Sequence, residues 1–379
     1  MNESLTGRDP CTGDSLIVHH ADGRINAIQK GAAGETSWLA PGLIDLQVNG
    51  YSGDDVNADN LTIDTIQSLA HPMLAVGVTT FVPTLITASE QKIIHNLRII
   101  SAARRADPLL EHMIPFVHVE GPHIAPEDGP RGAHPLEHVR PPDVAEFTRW
   151  QAACNDLVGM VTLSPHYAEA PEYIRQVSAR GVHISLGHTG ASADQIRAAV
   201  DAGARLSTHL GNGVANELPR HPNLIWAQLA EDRLTASFIA DGYHLPPDTL
   251  TAMLRAKTVS RAILVSDVVA LAGLPPGQYA TPIGGEVDLL PNGRLNIAGS
   301  EYLAGATATL NDSVAYVAAN TGFGLGEAVQ MATANPGRFA GARGLLRVGA
   351  PADLIRFRWS QGTSTLAIDS VIVQGKRWQ

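Results

Sequence analysis

From Leu43 to Asp267 the chain repeats one pattern, a short apolar run that ends on a polar or glycine-bearing corner and is followed by a longer polar-apolar stretch. The runs are LIDLQVNG, VTTFVPTLI, IPFVHVEG, LVGMVTLSP, HISLGHT, RLSTHL, LTASFIADG and AILVSD. Their length and β-branched content predict eight strands, buried on both faces. Between them, ASEQKIIHNLRIISAARRA and ADQIRAAVDAGA carry the three-to-four spacing of amphipathic helices, the second ending in a glycine cap. Such alternation predicts a (β/α)8 TIM-type barrel rather than an open doubly wound sheet, and no GxGxxG follows an early strand.

The chain ends read differently. SLIVHHADGRINAIQKG alternates around an Asp22-Gly23 turn, and PADLIRFRW and AIDSVIVQGKRW are strand-like. We expect a small β-sandwich domain built from residues 1–40 and 345–379, with residues 41–344 forming the barrel. After the eighth strand, SDVVALAGLPPGQYATPIGGEVDLLPNGRLNIAG is a long excursion with hairpin turns expected at Gly284-Gly285 and Asn292-Gly293.

Composition narrows the function. The 379 residues are 44% hydrophobic and 17% charged, with a formal charge of -10 and no Lys/Arg run, which argues against a nucleic-acid partner. A small anionic substrate would need local cations. Cys11 and Cys154 lie far apart without CxxC spacing, so neither a disulfide framework nor a thiolate metal site is expected. No apolar run is long enough to cross a bilayer, and the acidic N-terminus lacks a signal core, so the expected location is the cytoplasm.

In a barrel the chemistry sits where strands finish. The residues found there are Gln47 and Asn49, then Glu120, His188, His209, Asp241 with His244, and Asp267. One histidine ending an apolar strand is usually a hydrogen-bonded structural residue; several at equivalent positions are not. Glu120, His188 and His209 make a carboxylate and two imidazoles, the donor set of catalytic zinc sites with an open position. Asp267 is then a spare acid suited to move a proton, although an aspartate leaving a strand can also cap a helix. His134, on the PRGAHP loop, and His244 are placed to touch substrate, whereas His19, His20, His71, His95 and His112 fall away from the mouth.

These residues resemble the amidohydrolase superfamily, and within it the N-acetylglucosamine-6-phosphate deacetylase family. The likeness runs through APGLIDLQVNG, HVEGP, RGAH, LGHT, THL-x-N, RHP, IADGYH, LVSD, LAGATATL, NPGR and GAPADL. It implies that Glu120, His188 and His209 hold the metal and that Asp267 is the catalytic acid/base. His134 and Ala133 would meet the acyl carbonyl region, Asn212 and Gly213 the sugar phosphate, and His244 the sugar. Leu303, Ala304 and Gly305 would line the site. Arg220 would reach the phosphate across a homodimer interface. The implied reaction converts N-acetylglucosamine 6-phosphate to glucosamine 6-phosphate and acetate. It would use one divalent ion per subunit, zinc foremost, with iron, cobalt or manganese also suited to the ligands.

Several residues depart from the family pattern near the expected sugar or phosphate pocket. THLGNG replaces THL-x-NAM, His221 follows the arginine in place of an acid, His166 ends the fourth strand in place of a glutamate, and His123 is unusual. N-acetylgalactosamine 6-phosphate or an unphosphorylated N-acyl compound is therefore the alternative substrate. A non-catalytic scaffold is disfavoured, because every ligand position is filled. Gln47 and Asn49 stand where many relatives have His-x-His for a second ion. Amides are poor transition-metal ligands, so one ion is expected.

Overall fold

The computed structural model describes residues 3–281 and 285–378. All eight apolar runs become strands of one parallel sheet: β1 (Leu43–Val48), β2 (Val78–Ile86), β3 (Val117–Glu120), β4 (Val158–Leu163), β5 (His183–Leu186), β6 (Leu206–Ser207), β7 (Thr235–Ile239) and β8 (Ala262–Val265), paired in that order. The ring closes at its mouth, where Val48 bridges Val268 and the Asp267 N–H donates to Gln47 O at 3.0 Å. Strands covered on both faces need no polar alternation, and every residue of β1 is buried.

The helices follow their sequence signals. Glu90–Ala106 starts at Ser89, whose hydroxyl accepts from Lys92 N, and buries Ile93, Leu97 and Ile100 in the main core. Ala193–Ala202 opens with a Ser192/Gln195 capping box and stops at Gly203, where φ is 131°. Inside the barrel, beneath Glu120, runs a polar chain: His118 Nε2 is 2.7 Å from Thr162 Oγ1, which is 2.6 Å from Thr208 Oγ1, which is 2.6 Å from Ser185 Oγ. Burial pushes His118 down to about 4, so this layer is neutral and internally satisfied.

Both chain termini enter one seven-stranded sheet, in the order Lys376–Arg377, Ala367–Val373, Leu354–Arg358, Trp38–Pro41, Glu3–Arg8, Ser15–Ala21, Arg24–Lys30. Asp22 and Gly23 make the expected tight turn, both with positive φ (51° and 76°). The sheet curls, since Ile25 N donates to Ala350 O and Ala352 N to Gly23 O, and its concave side packs Leu5, Val18, Leu39, Leu354 and Ile372. The layers of the expected sandwich are thus parts of one continuous sheet. Its other face gives Ile355, Phe357, Val371 and Val373 to the barrel core.

The excursion after β8 is a four-stranded antiparallel sheet of Gly277–Thr281, Gly285–Leu289, Leu295–Ile297 and Leu303–Gly305. The Asn292-Gly293 turn is present, closed by Gly293 N donating to Leu290 O. Gly284, of the other expected turn, lies outside the described residues. No described helix is long and apolar enough to cross a membrane.

Candidate active site

Glu120, the last residue of β3, is buried at the bottom of the barrel mouth. Its Oε1 accepts from Gln47 Nε2 at 3.1 Å, and His209 Nε2 and His188 Nε2 face the same oxygen at 3.0 and 3.3 Å. His188 Nδ1 lies 2.8 Å from Pro130 O, and a carbonyl can only accept, so in the neutral ring Nδ1 carries the proton and Nε2 presents its lone pair to the carboxylate. Lone pairs converging on a carboxylate oxygen repel unless a proton or a cation lies among them. Where protons on the two Nε2 atoms fill that place, burial opposes the charge on Glu120, but hydrogen bonds and attraction from the protonated His188 and His209 hold its carboxyl well below the usual range. Burial likewise disfavours charged His209, yet Glu120 and then Asp267 raise it.

This donor set fits a divalent ion. His209 Nδ1 is buried with no partner, so no hydrogen bond commits that ring to another task. His134 also enters the cluster: potential ligand atoms of Glu120, His134 and His188 lie within 4.8 Å of one another. The geometry thus offers two sets that share Glu120 and His188 and differ in the third member, His209 or His134.

Asp267 follows β8, and Asn49 Nδ2 donates to its Oδ1 at 2.7 Å. Burial, then the charge of Glu120, raises its carboxyl to about 6. His134 Nδ1 is 2.8 Å from Thr87 Oγ1, and burial followed by the neighbouring His188 pushes it down to about 3, which keeps the ring neutral. His244 Nδ1 lies 2.6 Å from Asp241 Oδ2, so this carboxylate orients the ring. His188, His209 and Asp267 all have positive φ (47°, 27° and 53°), a conformation costing non-glycine residues about 1–3 kcal/mol. Each stands just past a strand end, where the strained corner turns its side chain into the mouth.

These groups share a cavity of about 680 Å³. Ala133, His134, Asn212, Gly213, His244, Leu303, Ala304 and Gly305 line it with Asn49, Glu120, His188, His209 and Asp267, so the structure brings nearly all of the sequence-predicted residues together. Arg220 is the exception: it is exposed and does not line the cavity of its own chain. A Cβ at Gly213 would sit 2.9 Å from His188 Nδ1, so this glycine lets the backbone pass close to that ring. The expectation that His123, His166 and His221 lie at the pocket needs correction, as none of them lines it. His123 is fully buried and stacks on Trp150 at 5.6 Å, His166 Nδ1 is held 2.6 Å from Ser164 Oγ, and His221 is exposed. Missed by sequence reasoning were Thr87, the Pro130 carbonyl and Arg294, which carry no motif.

Comparison with known proteins agrees with this geometry. The Amidohydrolase family model matches residues 38–378. The chain belongs to the amidohydrolase family. It is 31% identical to the N-acetylgalactosamine-6-phosphate deacetylase of Escherichia coli O157:H7, covering 99% of both chains. It is also 31% identical to the N-acetylglucosamine-6-phosphate deacetylase of Bacillus subtilis, over 84% of this chain and 80% of that one. A mutant of the Mycobacterium smegmatis N-acetyl-D-glucosamine-6-phosphate deacetylase, solved in complex with N-acetyl-D-glucosamine-6-phosphate, superposes with a TM-score of 0.84 at 29% identity, over 96% of this chain and 94% of that one. The hydrolytic deacetylase class expected from the sequence therefore stands.

Proposed function

We propose that this amidohydrolase removes the acetyl group from N-acetylglucosamine 6-phosphate, releasing glucosamine 6-phosphate and acetate, with one divalent ion per subunit held by Glu120, His188 and His209. The observation that carries this reading is the convergence of two imidazole Nε2 atoms on Glu120 Oε1 in the same cavity as a proton-accepting Asp267. His209 is preferred to His134 as third ligand because its Nε2 converges with His188 Nε2 on Glu120 Oε1, at 3.0 and 3.3 Å. The Thr87 hydroxyl can instead donate to His134 Nδ1, leaving His134 Nε2–H as a donor toward the cavity. Zinc suits two imidazoles and a carboxylate best.

When bound, the ion supplies a lowered water pKa and a polarised acetamide carbonyl. The chain does the rest. Asn49 occupies one oxygen of Asp267 and leaves the other to take the proton of the attacking water. His134 Nε2–H stabilises the negative charge that develops on the acyl oxygen. As the C–N bond breaks, Asp267 returns its proton to the amine, which leaves with acetate as the second product. Asn212 and Gly213 contact the sugar phosphate and His244 the sugar, and the Leu303–Gly305 strand closes one wall. Arg220 supports phosphate binding from a second copy of the chain in a homodimer. Two free thiols suit a cytoplasmic protein.

A second reading keeps the chemistry and changes the sugar to N-acetylgalactosamine 6-phosphate, since the relative of that name matches end to end. Metal analysis and acetate release from both sugar phosphates test the proposal. We expect about one ion per chain, and Asp267→Asn should keep the ion while kcat falls about 10²- to 10⁴-fold. Protein without stoichiometric metal, or a fully active Asp267→Asn variant, would overturn the mechanism.

A further inference from the structure

Among the described residues lining the active-site cavity, Arg294 is the single lysine or arginine. It shares the cavity with the carboxylates of Asp55, Glu120, Asp267 and Glu301, in a chain of net charge -10. A phosphorylated substrate entering such a space meets repulsion unless a fixed cation receives it.

Arg294 is built for that task. It follows the Asn292-Gly293 turn of the sheet that grows out of β8, and the turn is pinned on two sides: Tyr243 Oη donates to Asn292 O at 2.9 Å, and the Thr307 hydroxyl donates to Gly293 O. Tyr243 precedes the cavity residue His244, so the pin ties the arginine to the sugar side of the site. The guanidinium spends Nη2 on Glu301 O at 2.8 Å, and Nε is buried with no partner. No carboxylate pairs with it among the described residues. A guanidinium presents five N–H donors in a planar fork; with Nε sealed off, Nη1 and the second Nη2 proton are the donors open to a ligand. Phosphate oxygens satisfy such a fork bidentately.

We infer that Arg294 binds the substrate's phosphate monoester from within the same chain. The inference rests on the deacetylase reading above and sharpens it, because recognition of the anionic end then has a component that needs no second subunit. Arg220, exposed and outside its own cavity, can only add to this from elsewhere.

Two measurements test it. Steady-state kinetics on N-acetylglucosamine with and without the 6-phosphate should show Arg294→Gln raising KM about tenfold for the phosphorylated sugar, with kcat within about threefold and no change for the unphosphorylated one; Arg294→Lys should recover part of the loss. Calorimetric binding of glucosamine 6-phosphate, which needs no catalysis, should weaken about tenfold in Arg294→Gln. Equal binding in variant and wild type overturns the inference, and so does a parallel loss on both sugars, which would mark Arg294 as a prop for the hairpin. Failure of the deacetylase reading is seen separately, as wild-type protein that binds glucosamine 6-phosphate through Arg294 yet releases no acetate.

Discussion

Asn49 spends its amide on one carboxylate: Nδ2 donates to Asp267 Oδ1 at 2.7 Å and to Asp267 O at 3.3 Å. A donor aimed at a carboxylate favours the charged form, so it opposes the burial and the Glu120 charge that raise Asp267 to about 6. As the proposed general base, Asp267 must be deprotonated, and activity is therefore expected to fall as pH drops through its pKa. Removing the donor in Asn49→Ala raises that pKa, and the acidic limb of the kcat profile should move up by about one unit, with the larger loss at pH 5 and little at pH 8. A bound cation lowers Asp267 in both proteins, so the difference between them survives it. An unmoved limb would mean that Asn49 does not tune the base. Gln47 plays the matching part at Glu120, and so each amide of the first strand serves an anion.

Helix Leu224–Ala230 shows what an element needs beyond its own sequence. Asn223 Oδ1 caps its start, accepting from Ile225 N and Trp226 N at 3.1 and 3.2 Å. Its last carbonyls have no such local partner; Lys257, fully buried on the next helix, donates to Gln228 O at 2.9 Å and Glu231 O at 2.8 Å. Lys257→Met fills the same space but strands both carbonyls, and urea unfolding should show a loss of about 2–4 kcal/mol, with metal content of the folded protein unchanged. An equally stable variant would show that water replaces the ammonium. This contact also marks the limit of sequence reading. The strands and the polar corners that end them were legible because burial imposes apolar runs and barrel geometry gathers their ends at one mouth. Lys257 in TLTAMLRAKT looks like any exposed helix charge, and Asp45 in the first strand, raised by burial to about 7, looks like a break in an apolar run. Pairings such as Asp45 Oδ1 with Ser266 N, or His134 with Thr87, join residues far apart in the chain, and only the closed barrel creates them.

At the scale of the whole molecule, the proposed phosphate contact of Arg220 requires a second copy of the chain, because Arg220 does not line its own cavity. It lies on the exposed stretch before helix Leu224–Ala230, and two residues into that helix Trp226 is 55% exposed. An exposed tryptophan close in sequence to an arginine that has no ion pair among the described residues suits an interface between copies of the chain. The proposed homodimer requires a two-fold pairing that puts each Arg220 at the partner's mouth. Mixing variants tests this arrangement. Arg220→Ala subunits keep Asp267, and Asp267→Asn subunits keep Arg220, so a mixed dimer holds one complete site and one doubly defective site. Unfolding and refolding an equal mixture makes half the dimers mixed, and activity at low substrate should recover to about a quarter of wild type, above the average of the two parents. Recovery no greater than that average would place Arg220 outside any shared site and leave Arg294 as the cation that meets the phosphate.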